Sequence, residues 1–322
     1  MSIQEQGPAG KGLRSFAWLA FVTAFFTYAL IVFGGIVRIT GSGMGCGDDW
    51  PLCNGHLIPA MDFETLIEYG HRLAALLVSV LVFVVAVYAF RLRRDPQFGA
   101  RRIFGLAIAA AVLLVIQVLV GAITVWLELP TGSVVLHLAL ASTLLAVLLI
   151  AGIRALVPPP VAPLDAAATY PRWAHISAGL GFLILGLGGL VANSGAAPLC
   201  QGFPLCNGQL LPDGGGLVHL HWTHRLLAYG MVIVAVYSVV LTQRQRAPRG
   251  VSRAALVALG LLIGQVWVAA EMVILGLPAS LRGLHLAVGV ALWGTLVVWL
   301  TLSRRLASST QDVLGKTGVE AR

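Results

Sequence analysis

Residues 103–126 read IFGLAIAAAVLLVIQVLVGAITVW, running from Ile103 to Trp126 without one charged side chain. At about 1.5 Å per residue, a helix of this length crosses the ~30 Å hydrocarbon core of a bilayer. Its apolar residues are contiguous rather than alternating at period two, which is wrong for a barrel strand. Seven more runs of this kind fall at about 16–37, 69–90, 134–153, 174–192, 218–241, 254–276 and 284–302. Lipid cannot hydrogen-bond an exposed backbone, so spans of this composition must be helices. The chain is predicted to be an all-α integral membrane protein with eight transmembrane helices.

The composition agrees. Of 322 residues, 58% are hydrophobic and 11% charged, against about 25% charged in a soluble domain. That excludes a water-soluble enzyme, a disordered chain, a coiled coil and a disulfide-dense secreted module. The 21 Lys and Arg exceed the 13 Asp and Glu, an imbalance that nucleic-acid binding or a membrane's positive-inside bias can produce. The positions favour the membrane and no nucleic-acid partner. Only Arg38, Arg72, Arg225 and Arg282 fall on one side of the spans, and the remaining seventeen fall on the other. Both termini are therefore expected in the cytoplasm, with the loops at about 38–67 and 193–217 facing outward. Those loops hold all four cysteines. The first span lacks a small-residue cleavage site and reads as retained, not as a signal peptide.

The outer loops repeat one another. Cys53-Asn54-Gly55-His56-Leu57-Ile58-Pro59 returns as Cys206-Asn207-Gly208-Gln209-Leu210-Leu211-Pro212, an offset of 153 that also carries His71-Arg72-Leu73 onto His224-Arg225-Leu226. Gln117, Pro130 and His137 match Gln265, Pro278 and His285 at an offset of 148. The chain divides into halves, 1–156 and 170–322, joined by a proline-rich linker at 157–169. Four spans per half give both halves one orientation. Two tandem four-helix bundles are expected, related by a pseudo-twofold axis along the membrane normal.

Four histidines stand where this repeat puts them, near the outer ends of spans two, four, six and eight. A lone His at a helix end is commonly structural. Two matched pairs at one depth, His71 with His137 and His224 with His285, can instead clamp one metal centre per bundle. Imidazole suits zinc, copper and heme iron. Zinc would want more ligands, while Gly34, Gly35, Gly188 and Gly189 would leave room for a flat macrocycle, so heme fits best. Arg72 and Arg225 follow the first His of each pair. Such arginines either snorkel to the interface or meet heme propionates, and Arg38 and Arg282 are further propionate candidates. Glu68, three residues before His71, can orient the ring, accept a proton or cap its helix. Its counterpart is His221. Glu271 receives no role, and His219 and His221 are candidates to support the ligands of the second half. Cys46 with Cys53 and Cys200 with Cys206 are expected to form one disulfide in each outer loop, although the first pair could be a redox-active dithiol.

The ordered set resembles the heme A synthases: eight spans, one His pair per half, cysteines in the first and third outer loops, Glu68-Tyr69-Gly70-His71-Arg72, Gly41-Ser42-Gly43-Met44-Gly45-Cys46, and Trp50-Pro51-Leu52-Cys53-Asn54-Gly55. The resemblance implies oxidation of a ring methyl of heme O to the formyl group of heme A, by successive hydroxylation and loss of water, for heme-copper terminal oxidases. It implies that His224 and His285 ligate a heme b cofactor, that His71 and His137 hold the substrate heme O, and that Glu68 is the catalytic carboxylate. One departure is His221, which leaves a rival ligand in the second half. The partners implied are a heme O synthase and an electron acceptor such as a quinone, in the inner (plasma) membrane. Two other classes stand beside it. A di-heme cytochrome carrying electrons from quinol would place hemes near both faces, whereas these histidines share one. A transporter would break its spans with midplane carboxylates.

Overall fold

Eight helices of 24 to 30 residues are long and apolar enough to cross a membrane. The computed structural model describes residues 9–60, 62–159 and 168–306. The long helices are α1 (Lys11–Ile39), α2 (Phe63–Leu92), α4 (Ile103–Trp126), α5 (Thr131–Leu156), α6 (Tyr170–Asn193), α7 (Gly216–Arg244), α8 (Arg249–Ile274) and α9 (Ala279–Leu306), with a short α3 (Pro96–Ala100) between α2 and α4. There is no β-strand among the described residues. Most of the predicted linker (residues 160–167), Lys316 and Arg322 lie outside the described residues.

Several helices start before their apolar runs. α2 begins six residues before position 69, because Asp62 caps it by accepting from the Thr65 amide at 3.0 Å. The Thr65 amide and hydroxyl hold the Asp62 carboxyl below the ordinary range. The unexpected α3 has the same origin. Asp95 accepts from the amides of Gln97 and Phe98, and Pro96 occupies the first helical position, where its missing N–H costs nothing.

In the first half the helices pack as a ring, α1 on α2, α2 on α4, α4 on α5 and α5 on α1. The second half repeats it with α6, α7, α8 and α9. The halves meet through α5 against α9, flanked by α1 on α9 and α5 on α6. Small residues permit the approach. A Cβ on Gly35 of α1 would collide with Leu286 of α9, and a Cβ on Gly189 of α6 would touch Leu138 of α5 at 3.2 Å. These contacts correspond across the repeat, the glycines at an offset of 154 and the leucines at 148. Gly35 and Gly189 therefore seat leucines from the opposite half and leave no room for a macrocycle. Most large apolar side chains on the outside, such as Trp18, Phe83, Ile233 and Trp267, face where lipid would be. Buried Thr and Ser, such as Thr27 and Thr242, turn their hydroxyls onto carbonyls four residues back.

The sealed cores occupy one end of each bundle. The first contains Phe16, Val82, Val85, Phe98 and Leu148, and the second Met231, Ala255, Leu296 and Trp299. On the four histidine-bearing helices, Val78, Leu144, Met231 and Leu292 belong to these cores. Each lies seven residues beyond a histidine, about 10 Å along the axis.

Candidate functional site

His71 and His224 stand eight residues into α2 and α7, and His137 and His285 six residues into α5 and α9. At about 1.5 Å per residue, all four lie roughly 9–12 Å from the same end of the molecule. Within each pair the rings are near enough for the charge of one to act on the other, His71 with His137 and His224 with His285. No group of three or more His, Cys, Asp or Glu that could hold a metal ion occurs among the described residues. The donor set is two imidazoles per site.

Three of the rings lie on glycines of a neighbouring helix. A Cβ on Gly34, Gly121 or Gly188 would stand 3.0–3.1 Å from Cε1 of His71, His137 or His224. His285 is held instead by Gln265, whose Nε2 reaches the His285 carbonyl at 3.0 Å and its Nε2 at 3.3 Å. All four Nδ1 atoms are shut off from solvent without a hydrogen-bond partner. A buried polar atom left unpaired is costly, and the same orphan recurs at four related positions. Two neighbouring imidazoles in each half, both with an orphaned buried nitrogen and with no third ligand among the described residues, fit a heme iron as the group each pair would hold.

A loop closes over each pair. Cys46–Cys53 and Cys200–Cys206 are disulfides with Cα atoms 4.4 and 4.9 Å apart. The second cysteine of each starts a tight turn, with Asn54-Gly55 and Asn207-Gly208 all at positive φ, as Asn-Gly hairpin turns require. Arginines fasten the loops to the helices. Arg72 Nη1 donates to the carbonyls of Asp49 (2.8 Å) and Leu52 (2.6 Å). Arg225 Nη1 donates to those of Gly202 (2.7 Å) and Leu205 (3.0 Å), and its Nη2 to that of Cys200. The guanidiniums expected at heme propionates are thus engaged by loop carbonyls, because each loop folds back across its helix end. Arg38 donates through Nε to Asn193 Oδ1 of the other half at 2.8 Å, and Arg282 is half-buried in the first turn of α9.

The halves differ beside this clasp. Glu68 is 3% exposed. Its Oε1 accepts from Arg72 Nη2 at 2.6 Å and Nε at 3.2 Å, and its Oε2 accepts from the Cys46 amide at 2.9 Å. Capping is not its role, since Asp62 does that. Gly45 makes the Cys46 contact possible, because a Cβ there would stand 2.5 Å from the Glu64 backbone. His221, its counterpart, is also buried, with Nδ1 against the Ala196 carbonyl at 3.2 Å and Nε2 accepting from Arg225 Nε at 3.3 Å. Both ring nitrogens of His221 are engaged, whereas Nδ1 of His224 is buried without a partner. His219 is exposed and bonds Gly215 in its own first turn. The Gln265 bond, the arginine clasps and the Gly45 approach were not read from the sequence. The offsets that matched Gln117 to Gln265 and Arg72 to Arg225 were the signals pointing to the first two.

A family model described as cytochrome oxidase assembly protein (COX15-CtaA) matches residues 17–297. The chain is 31% identical over 284 residues to a heme A synthase of Symbiobacterium thermophilum, covering 84% of this chain and 90% of that protein. It is 31% identical over 303 residues to a heme A synthase of Shouchella clausii, covering 91% and 97%. With a heme A synthase of Alkalihalophilus pseudofirmus it shares 29% identity over 249 residues, 76% of this chain and 82% of that protein. With its paired histidines, looped disulfides and eight spans, the chain belongs to the COX15-CtaA family.

Proposed function

We propose that this protein is a heme A synthase, an oxidoreductase that converts a methyl group of heme O to the formyl group of heme A. One observation carries the division of labour: two matched histidine sites differ in the group beside the arginine clasp, Glu68 in one and His221 in the other. Turning a methyl into a formyl withdraws protons as well as electrons. Glu68 lies one turn from His71 and is the sole carboxylate in an ion pair among the described residues. His71 and His137 would hold the iron of the substrate, and Glu68 would take up protons at a carboxylate oxygen. Arg72 and the Cys46 amide keep that carboxylate in place, and the disulfide loop above it limits water.

In the second half, His224 and His285 would ligate heme b. Held by these two imidazoles, heme b would supply one-electron transfer. Gln265 orients His285, and His221 stabilises the loop through Arg225. Arg38 and Arg282 are the guanidiniums proposed for propionates, with Arg72 and Arg225 holding the loops. The basic-residue distribution supports termini in the cytoplasm and disulfide loops outside, in the plasma membrane. A heme O synthase and a quinone-class acceptor are the proposed partners. Extraction of heme from purified protein tests the whole reading. Heme b together with heme O or heme A is expected, and heme b alone would refute it.

A further inference from the structure

At the end of the molecule away from the disulfide loops, arginines converge with no ion pair to an acid among the described residues. Arg101 precedes α4, Arg154 lies in the last turn of α5 and Arg305 in the last turn of α9. The cluster therefore spans both halves. Arg101 is 0% exposed. Its Nη1 donates to the Ala155 carbonyl at 3.2 Å, and Arg305 Nη2 donates to the Arg101 carbonyl at 3.3 Å. The charges of Arg154 and Arg101 both reach Arg305, and those of Arg102 and Arg304 reach Arg154.

Arginines at helix ends commonly serve as C-terminal caps, and two of these donors do. The remainder do not. Nε and Nη2 of Arg101, Nε of Arg154 and Nη1 of Arg305 are all buried without a partner. The only ion pair among the described residues is the distant Glu68–Arg72. Asp95 acts on Arg101 through its charge, but its Oδ1 is occupied by the amides of α3. Like charges brought together in a dry setting with donors unfilled are unfavourable unless an anion completes them. The donors are forked guanidiniums, which match a tetrahedral oxyanion in geometry.

We infer that Arg101, Arg154 and Arg305 form a binding site for a phosphate group, positioned where the ends of α4, α5 and α9 join the two halves. Basic pockets between helix ends take phospholipid headgroups, and a free phosphate would satisfy the same donors. Occupancy would tie α5 to α9, the helices through which the halves meet, at the end opposite the histidines.

The test is thermal unfolding of the purified full-length protein with two probes. One is inorganic phosphate titrated in neutral detergent. The other is reconstitution into phosphatidylcholine nanodiscs with or without phosphatidylglycerol. A ligand that binds the folded state raises the midpoint with the logarithm of its concentration. A rise with inorganic phosphate assigns a free anion, and a rise with phosphatidylglycerol alone assigns a lipid headgroup. Arg101 is too buried to substitute safely, so the variants are Arg154→Gln and Arg305→Gln. Each should shift the half-effective concentration at least about tenfold, the worth of one charge-assisted hydrogen bond. Indifference of the wild type to both probes overturns the inference. So does an Arg154→Gln, Arg305→Gln double variant that responds like the wild type.

Discussion

Replacing Glu68 with glutamine is the sharpest perturbation the site allows. The wild-type carboxylate accepts at both oxygens, from Arg72 on one and from the Cys46 amide on the other. Glutamine has one acceptor and one donor end. Whichever way its amide turns, an NH₂ faces either a guanidinium or a backbone N–H. Removing one partner of a buried ion pair costs about 3–5 kcal/mol. Here Arg72 retains the Asp49 and Leu52 carbonyls and its side chain is 16% exposed, so about 1–2 kcal/mol is the reasonable share. The protein should fold and its first disulfide should form. The second half supports this, because there a neutral ring, His221, sits against the arginine of an intact clasp. The chemical loss should be larger, about 10²–10⁴-fold, the usual contribution of a positioned acid–base group. The assay is chromatography of extracted hemes alongside the absorption spectrum and free-thiol content. Heme b should remain while heme O or a hydroxylated intermediate accumulates and the formyl product falls. A normal rate of heme A formation would refute the assignment. So would loss of heme b in proportion to product, which would make Glu68 a scaffold residue alone.

Three further outcomes follow from the same geometry. Gly188→Ala should disturb the heme b spectrum by pressing on His224, whereas Gly34→Ala, pressing on His71 at the same 3.1 Å, should leave that spectrum and slow product formation; reversed effects would exchange the roles of the halves. His285→Ala should remove heme b, and Gln265→Ala, which releases the ring and carbonyl of His285, should weaken its retention by about 10–100-fold; unchanged heme content in both sinks the ligand set. Gly45→Ala places a Cβ 2.5 Å from the backbone of α2, so the loop must lift from Glu68 at a cost of about 1–3 kcal/mol, read as a lower unfolding midpoint with reduced activity; wild-type values for both would show that the approach is dispensable.

The spans were legible because lipid imposes one rule on every residue between Ile103 and Trp126, and an uncharged run obeys it visibly. The histidines were legible because the chain contains its own comparison, and two offsets returned the same residue at the same depth. The arginine clasps were not. Arg72 and Arg225 bond backbone carbonyls 20–25 residues away, and a carbonyl is present whatever the side chain, so residue identity leaves no trace of it. Gly35 and Gly189 misled for a related reason. A glycine in a span signals close approach without saying of what, and here leucines of the other half approach. Arg101 looked like one more basic residue on one side of the membrane; only its complete burial sets it apart.

The repeat also separates scaffold from chemistry. Features present in both halves must serve what both need: a disulfide turn, an arginine holding the loop, a histidine on a glycine, an apolar core beginning seven residues below. None of these can explain why one site would react and the other would not. The differences can. Glu68 gives way to His221, and Gln265 donates to the ring and carbonyl of His285 where the ring of His137 lies on Gly121. Gly45, which lets the loop backbone reach Glu68, directly precedes Cys46, whereas the residue preceding Cys200 is Leu199. Since a residue with a Cβ could not make this close approach, the first loop can deliver the Cys46 amide to a carboxylate where the second is built differently. The acid and the backbone that seats it are thus confined to the same half, which is the coupling expected if that half alone handles protons.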